Sequence, residues 1–203
     1  MNVFKLVDGG FARIKRLDFL PLLATRLYLL PIFYEGAHTK ITGFAGTVAW
    51  FAAPVSQGGL GMPFPLLLAT LATATETAGC ICMALGLFTR LVSIPLMVTM
   101  TIAGLSVHWS HGWAAIAGKT AESTLRMQAF MDWLAQNFPG RFNYITQLGD
   151  PIILNNGIEF TVTYLIMLMT LFFYGGGRYL SVDYWLAKWR PHQIGWLMPA
   201  DHA

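Results

Sequence analysis

The sequence predicts an all-α integral membrane protein, a bundle of four helices with amphipathic interfacial helices in its two outer connections. Three observations carry this. Hydrophobic residues make up 55% of the 203-residue chain and charged residues only 11%, whereas a soluble globular domain carries about 25% charged residues. The apolar residues gather in stretches long enough to cross a hydrocarbon core of about 30 Å, which takes roughly 20 helical residues. The basic residues are divided unevenly between the connections. An aromatic content of 14% argues against disorder, and sparse, dispersed Lys and Arg exclude a nucleic-acid surface.

The N-terminal residues Lys5, Arg13, Lys15 and Arg16 precede an apolar segment, as in a signal peptide. No small-residue cleavage site follows, and Arg26 interrupts the segment, so a retained first span is expected. That span covers residues 19–34 and is broken by Pro21, Arg26 and Pro31. The second, residues 63–88, contains only Glu76 as a charge, and the third covers residues 91–109. The fourth covers residues 152–174 and contains Glu159. A turn at Thr89-Arg90 makes spans two and three antiparallel neighbours.

An even number of spans leaves both termini on one side, with Lys5, Arg13, Lys15, Arg16, Arg90, Arg178, Lys188 and Arg190. The other side holds Lys40, Lys119, Arg126 and Arg141. The positive-inside rule therefore predicts cytoplasmic termini in a bacterial inner membrane, with residues 35–62 and 110–151 outside. In the longer connection, Met127, Phe130, Met131, Leu134 and Phe138 recur at helical spacing opposite Arg126, Gln128, Asp132 and Gln136, a pattern for a helix on the membrane surface. Phe44, Val48, Trp50 and Phe51 outline a weaker one, ended by Pro54 and the turn after Gln57.

Ionisable residues inside a bilayer need a partner or a task. Arg26 and Glu76 fall near the centres of their spans and are expected to pair, fixing the register of the first two helices or orienting an anionic group. Toward the outer end stand Glu35, His38, Lys40, His108, His111, Asn155, Asn156 and Glu159. Arg26, Glu35, Lys40, Glu76, His108 and Glu159 are the expected lining of a polar pocket. His108 and His111, at i and i+3, are candidate metal ligands if the helix continues that far, and are otherwise hydrogen-bonded to backbone or head groups. Glu159 is expected about seven residues into its span, roughly 10 Å deep, turned inward toward His108 and Lys40. Cys80 and Cys82, two apart on a helix, point to different sides and are expected to be unbridged packing residues. Met83, Met97, Met100, Met167 and Met169 are scattered through spans rather than arrayed as metal ligands. Phosphate-loop, CxxC, HExxH and nucleophile-elbow motifs are absent.

Several pieces, in order, resemble the DoxX family. They are Arg26 through Glu35-Gly36 to Lys40, the segment Phe44 to Ala52, Glu76 before a glycine, Leu85-Gly-Leu-Phe-Thr-Arg90, Asn156-Gly-Ile-Glu159, and Gly176-Gly-Arg178 to Asp183. The resemblance covers about residues 20–186 and implies a four-helix membrane protein associated with quinone-linked oxidoreduction. The long insert from His108-Trp-Ser-His-Gly-Trp113 to Thr146 is similar to the HvfX-type branch, which implies a role in making or handling modified copper-binding peptides. The leading expectation is an accessory subunit with an outward-facing pocket, quinone being the favoured ligand and copper the other cofactor named. The alternatives are a non-catalytic anchor docking a soluble or membrane partner, and a transport component acting as a homo-oligomer.

Overall fold

A computed structural model describes residues 17–198. The basic residues Lys5, Arg13, Lys15 and Arg16 lie outside that range. Among the described residues all regular structure is helical, apart from one bridge pair, Ile116 with Leu154. The chain forms two compact units: one runs to Thr101 and resumes at Tyr164, and the other is Ile102–Thr163.

In the first unit, α1 (Phe19–Thr42) is 24 residues long and keeps Pro31 inside it. It extends two turns beyond the expected end at residue 34, carrying Glu35, Gly36 and Lys40 on the helix rather than in a connection. Gly43 separates it from α2 (Phe44–Ala52), which Pro54 stops. Pro65 opens α3 (Pro65–Leu85), where a missing N–H is harmless. Gly86 closes α3 in a left-handed conformation, its N–H donating to the Cys82 carbonyl. The turn into α4 (Thr89–Ala103) is thus made by residues 86–88, and Thr89-Arg90 already belong to the helix.

Leu29 and Phe33 of α1, Met83 of α3, Val92 and Leu96 of α4, and Leu168 and Leu171 of α7 (Glu159–Tyr174) form one buried core. Gly79 on α3 lets Leu96 approach closely: a Cβ there would stand 2.9 Å from a Leu96 methyl. The outward faces of α3 and α4 carry Leu67, Leu71, Ile81, Leu91, Ile94 and Val98, all exposed. The buried positions meanwhile include Arg26, Glu76, Thr89 and Ser93. Apolar outside with polar groups sequestered inside suits hydrocarbon surroundings. Among the described residues two helices, Pro65–Leu85 and Thr89–His111, are long and apolar enough to cross a membrane, and Glu159–Tyr174 is a shorter apolar helix. After α7 the chain turns into α8 (Val182–Trp189) and the short α9 (Pro191–Ile194).

In the second unit the helix begun by α4 loosens into a π turn, Gly104–His108, and a tight turn, Trp109–His111. Residues 112–117 then pair with residues 153–159. Gly157 N–H donates to Ala114, Ile158 to Gly112 and Glu159 to Trp113, while Ala117 donates to Ile153. This pairing corrects the start of the fourth span. Residues 152–154 are apolar enough to read as the start of a span, but backbone groups from residue 153 on are spent on the opposite segment, and α7 starts at Glu159. Between the paired segments lie α5 (Glu122–Asn137) and α6 (Pro139–Thr146). α5 buries Leu134 and exposes Phe130 and Trp133, whose rings stack at 6.0 Å.

Candidate functional site: a buried Lys–Glu pair and an arginine–aspartate knot

The charged centre of the first unit is not the expected Arg26–Glu76 pair. Glu76, 4% exposed, receives Lys40 instead: Nζ donates to Oε1 at 3.0 Å and to Oε2 at 2.8 Å. Lys40 Nζ also donates to the Gly36 carbonyl at 3.4 Å. Gly36 and Lys40 are one turn apart on α1, and Gly36 has no side chain to keep Glu76 away; a Cβ there would be 2.9 Å from Oε2. The carboxylate therefore lies against the α1 backbone, just below the ammonium. Because α1 continues past residue 34, Lys40 is carried to the level of Glu76 on α3, whereas Arg26 lies at the C-terminal end of α3, against Gly86. The Lys40 side chain stays 22% exposed against 5% for Glu76, so the pair opens toward the surface on the lysine side.

Arg26 is engaged elsewhere in the same unit. It is 2% exposed, and Nη2 donates to the Leu180 carbonyl at 2.6 Å. Its guanidinium occupies the space over Gly86 that a Cβ would need. Nε and Nη1 are buried without a hydrogen-bond partner. The nearby counter-charge is Asp183, fully buried, which accepts from Phe88 N–H (2.7 Å) and Thr89 N–H (2.9 Å). Asp183 thereby caps the N-terminus of α4 from a distant part of the chain, where a helix dipole favours a negative group. Burial pushes its carboxyl above the usual range, opposed by the two backbone N–H groups, the Thr89 hydroxyl and the Arg26 charge. Ser181 caps α8, accepting from Tyr184 N–H at 3.2 Å and donating to the Gly177 carbonyl at 2.6 Å. Arg90 completes the knot, Nε donating to the Phe172 carbonyl and Nη1 to that of Trp196, each at 2.8 Å.

Glu35 is exposed on the outer face of α1, with His38 one turn on and the Tyr34 ring stacked against it at 5.9 Å. In the second unit, His108 Nδ1 lies 2.9 Å from the Asn156 carbonyl, so Nδ1 carries the proton in that bond. His111 Nδ1 lies 3.1 Å from the Val107 carbonyl. Glu159, expected deep in its span beside His108, stands instead in the first turn of α7, and its Oε2 accepts from Ala115 N–H at 3.0 Å. Asn155 Nδ2 donates to the carbonyls of His111 and Ala114. Glu159 and Asn155 thus tie the two paired segments together, His108 links the π turn to the second of them, and His111 bonds within its own stretch of chain. No group of three or more His, Cys, Asp or Glu able to hold a metal ion occurs among the described residues. Cys80 and Cys82 are free, and Cys80 Sγ lies 3.9 Å from the Leu30 carbonyl.

Sequence reasoning placed Lys40 and Glu76 in the candidate set without pairing them, and gave Asp183 no role. The available signal for Asp183 was Ser181 two residues before an acid at a helix start, which marks a cap. Its partners at Phe88 and Thr89, however, are more than ninety residues away.

Comparison with known proteins gives the arrangement its context. The DoxX family matches residues 21–109, which carry Arg26, Lys40, Glu76 and His108 but not the insert after residue 109. The chain is 34% identical over 113 residues to a protein named Inner membrane protein YphA from Escherichia coli (strain K12), covering 56% of this chain and 71% of that protein. No solved structure matches. With the four helices meeting in one core and the matched segment holding the Lys40–Glu76 pair, the chain belongs to the DoxX family.

Proposed function

We propose that this chain is a multi-pass inner-membrane accessory protein, both termini cytoplasmic, that binds a quinone headgroup at the Lys40–Glu76 pair. The observation that carries the proposal is the pair itself: a carboxylate almost wholly buried between α1 and α3, with an ammonium partly open to the surface. An apolar quinone ring partitions into hydrocarbon and needs a donor for its carbonyl oxygen. Lys40 has donors to offer, and Glu76 would accept from the hydroxyl of the reduced form. The relative's name, an inner membrane protein, supports the location. Copper enters only through the likeness of the insert to HvfX-type proteins, and a role with copper-binding peptides rests on that likeness alone.

The test is to purify the chain in nanodiscs with native lipids and quantify co-purifying quinone. Bound quinone should be present in the wild type and lost in Lys40→Met and Glu76→Gln. Equal quinone in wild type and both variants would overturn the proposal. A second reading, an anchor for a partner protein, is favoured by Glu35 and His38 standing exposed on α1. It predicts that Glu35→Ala and His38→Ala release a partner while Glu76→Gln retains it.

A further inference from the structure

Among the described residues, α8 leaves one face of the first unit without a protein partner. Its inner face is fixed: Asp183 and Ala187 are buried, and Asp183 is bonded to the first turn of α4. The turn that follows is fixed as well, through Arg90 to the Trp196 carbonyl. The outer face carries Val182, Trp185 and Trp189 at helical spacing, the two indoles 55% and 72% exposed, with Lys188 and Arg190 beside them. Lys188 Nζ stands 5.6 Å from the centroid of the Trp185 ring, and the Arg190 guanidinium 4.7 Å from that of Trp189. The Trp185 indole N–H is satisfied by the Tyr179 carbonyl at 2.9 Å, so the exposed body of that ring is apolar. Between residues 175 and 198 the one carboxylate is the buried Asp183. The exposed face is therefore cationic and aromatic.

We infer that α8 is a binding surface for anionic phospholipid headgroups of the bilayer that the chain spans. Tryptophan bodies with Lys and Arg beside them are the side chains that suit the boundary between acyl chains and phosphate. The position fits this chemistry, because α8 is pinned to the first turn of α4, which begins a helix long and apolar enough to cross a membrane. That turn is where the hydrocarbon ends if α4 crosses. The rings lie at the boundary, and Lys188 and Arg190 reach the phosphates, an attraction screened by salt. The inference rests on the membrane-spanning reading and is independent of quinone.

The test uses the full chain in nanodiscs of phosphatidylcholine alone or of phosphatidylcholine and phosphatidylglycerol in equal parts. Phosphatidylglycerol should raise the wild-type Tm, and the rise should shrink in high salt. The Lys188→Gln/Arg190→Gln variant should keep the wild-type Tm in phosphatidylcholine and lose the rise. Lipids brominated on the acyl chains should quench part of the tryptophan emission, and Trp189→Phe should reduce the quenched part. A double variant that retains the full rise overturns the inference. So does Trp189 emission quenched by aqueous iodide and not by brominated lipid, which would put the face in water and free for a protein. Failure of the wild type to enter nanodiscs at all would count instead against the spanning reading.

Discussion

The Lys40 ammonium sits within hydrogen-bond distance of both carboxylate oxygens of Glu76, at 3.0 and 2.8 Å. Removing one partner of a buried pair leaves the other uncompensated, which destabilises by about 3–5 kcal/mol. Lys40→Met should therefore lower the unfolding temperature in detergent markedly, and Glu76→Leu similarly. Combining Lys40→Met with Glu76→Leu removes both charges and should recover most of the loss. A double-mutant cycle on thermal unfolding checks this, and additive losses would show that the pair does not couple.

Gly86 is where the Arg26 guanidinium and the end of α3 share one space. Its φ is +61°, and a Cβ would collide with Arg26 Nη1 and stand 2.6 Å from the Ser181 Cβ. Gly86→Ala should destabilise by about 2–5 kcal/mol through left-handed strain and overpacking. Shortening the arginine in the same molecule, as Gly86→Ala/Arg26→Ala, should remove the clash with Nη1 but not the strain. The double variant should thus lose less than the sum of the two single losses. Full additivity by thermal melt would mean that Gly86 serves conformation alone.

How far the sequence could be read follows from the range of each interaction. The helices α3 and α4 were legible because hydropathy and periodicity are local, and Gly86 marks the boundary between them. α1 was underestimated because Pro31 and the polar run from Glu35 to Lys40 resemble an exit from the membrane. Pro31 is nevertheless inside the helix, and the same polar run supplies the lysine for Glu76. Pairing by depth favoured Arg26 for Glu76. The structure places the Arg26 guanidinium against Gly86, ten residues or about 15 Å along α3 from Glu76, where it donates to the Leu180 carbonyl instead. Residues 152–154 read as span because Ile-Ile-Leu has the right hydropathy, and nothing local announces that residues 112–117 will claim their backbone groups.

Asp183 makes stability depend on pH with a definite sign. Burial holds its folded-state carboxyl above the unfolded value, so the native state binds the proton more tightly than the unfolded chain. The contribution of this group is then favourable at low pH and is lost as pH rises from the unfolded pKa through the folded one. Asn at this position cannot titrate. The Tm of the wild type relative to Asp183→Asn should fall as pH rises through that window, and level off above it. A relative Tm that rises over the same window would mean that the N–H donors of Phe88 and Thr89 and the Arg26 charge outweigh burial.

Glu159 and Gly157 lock the second unit in different ways, and their variants should separate. Glu159 Oε2 accepts from the N–H of Ala115, a residue 1% exposed, so without that acceptor a buried donor is left unsatisfied. Glu159→Gln retains an amide oxygen at the same reach and should change stability by less than about 1 kcal/mol, whereas Glu159→Leu should cost about 1–3 kcal/mol. Gly157 faces the carbonyl oxygens of Gly112, Trp113 and Ala114; a Cβ would stand 2.7 Å from the first and 2.6 Å from the second. Three backbone oxygens cannot turn aside as a side chain could. Gly157→Ala should therefore force residues 112–117 and 153–159 apart. Hydrogen exchange reads this directly: the N–H groups of Ala117, Asn155 and Ile158 should lose protection in Gly157→Ala and keep it in Glu159→Gln. Retained protection in Gly157→Ala would refute the paired-segment geometry, and lost protection in Glu159→Gln would mean that the charge on Glu159, rather than an acceptor oxygen, holds the segments together.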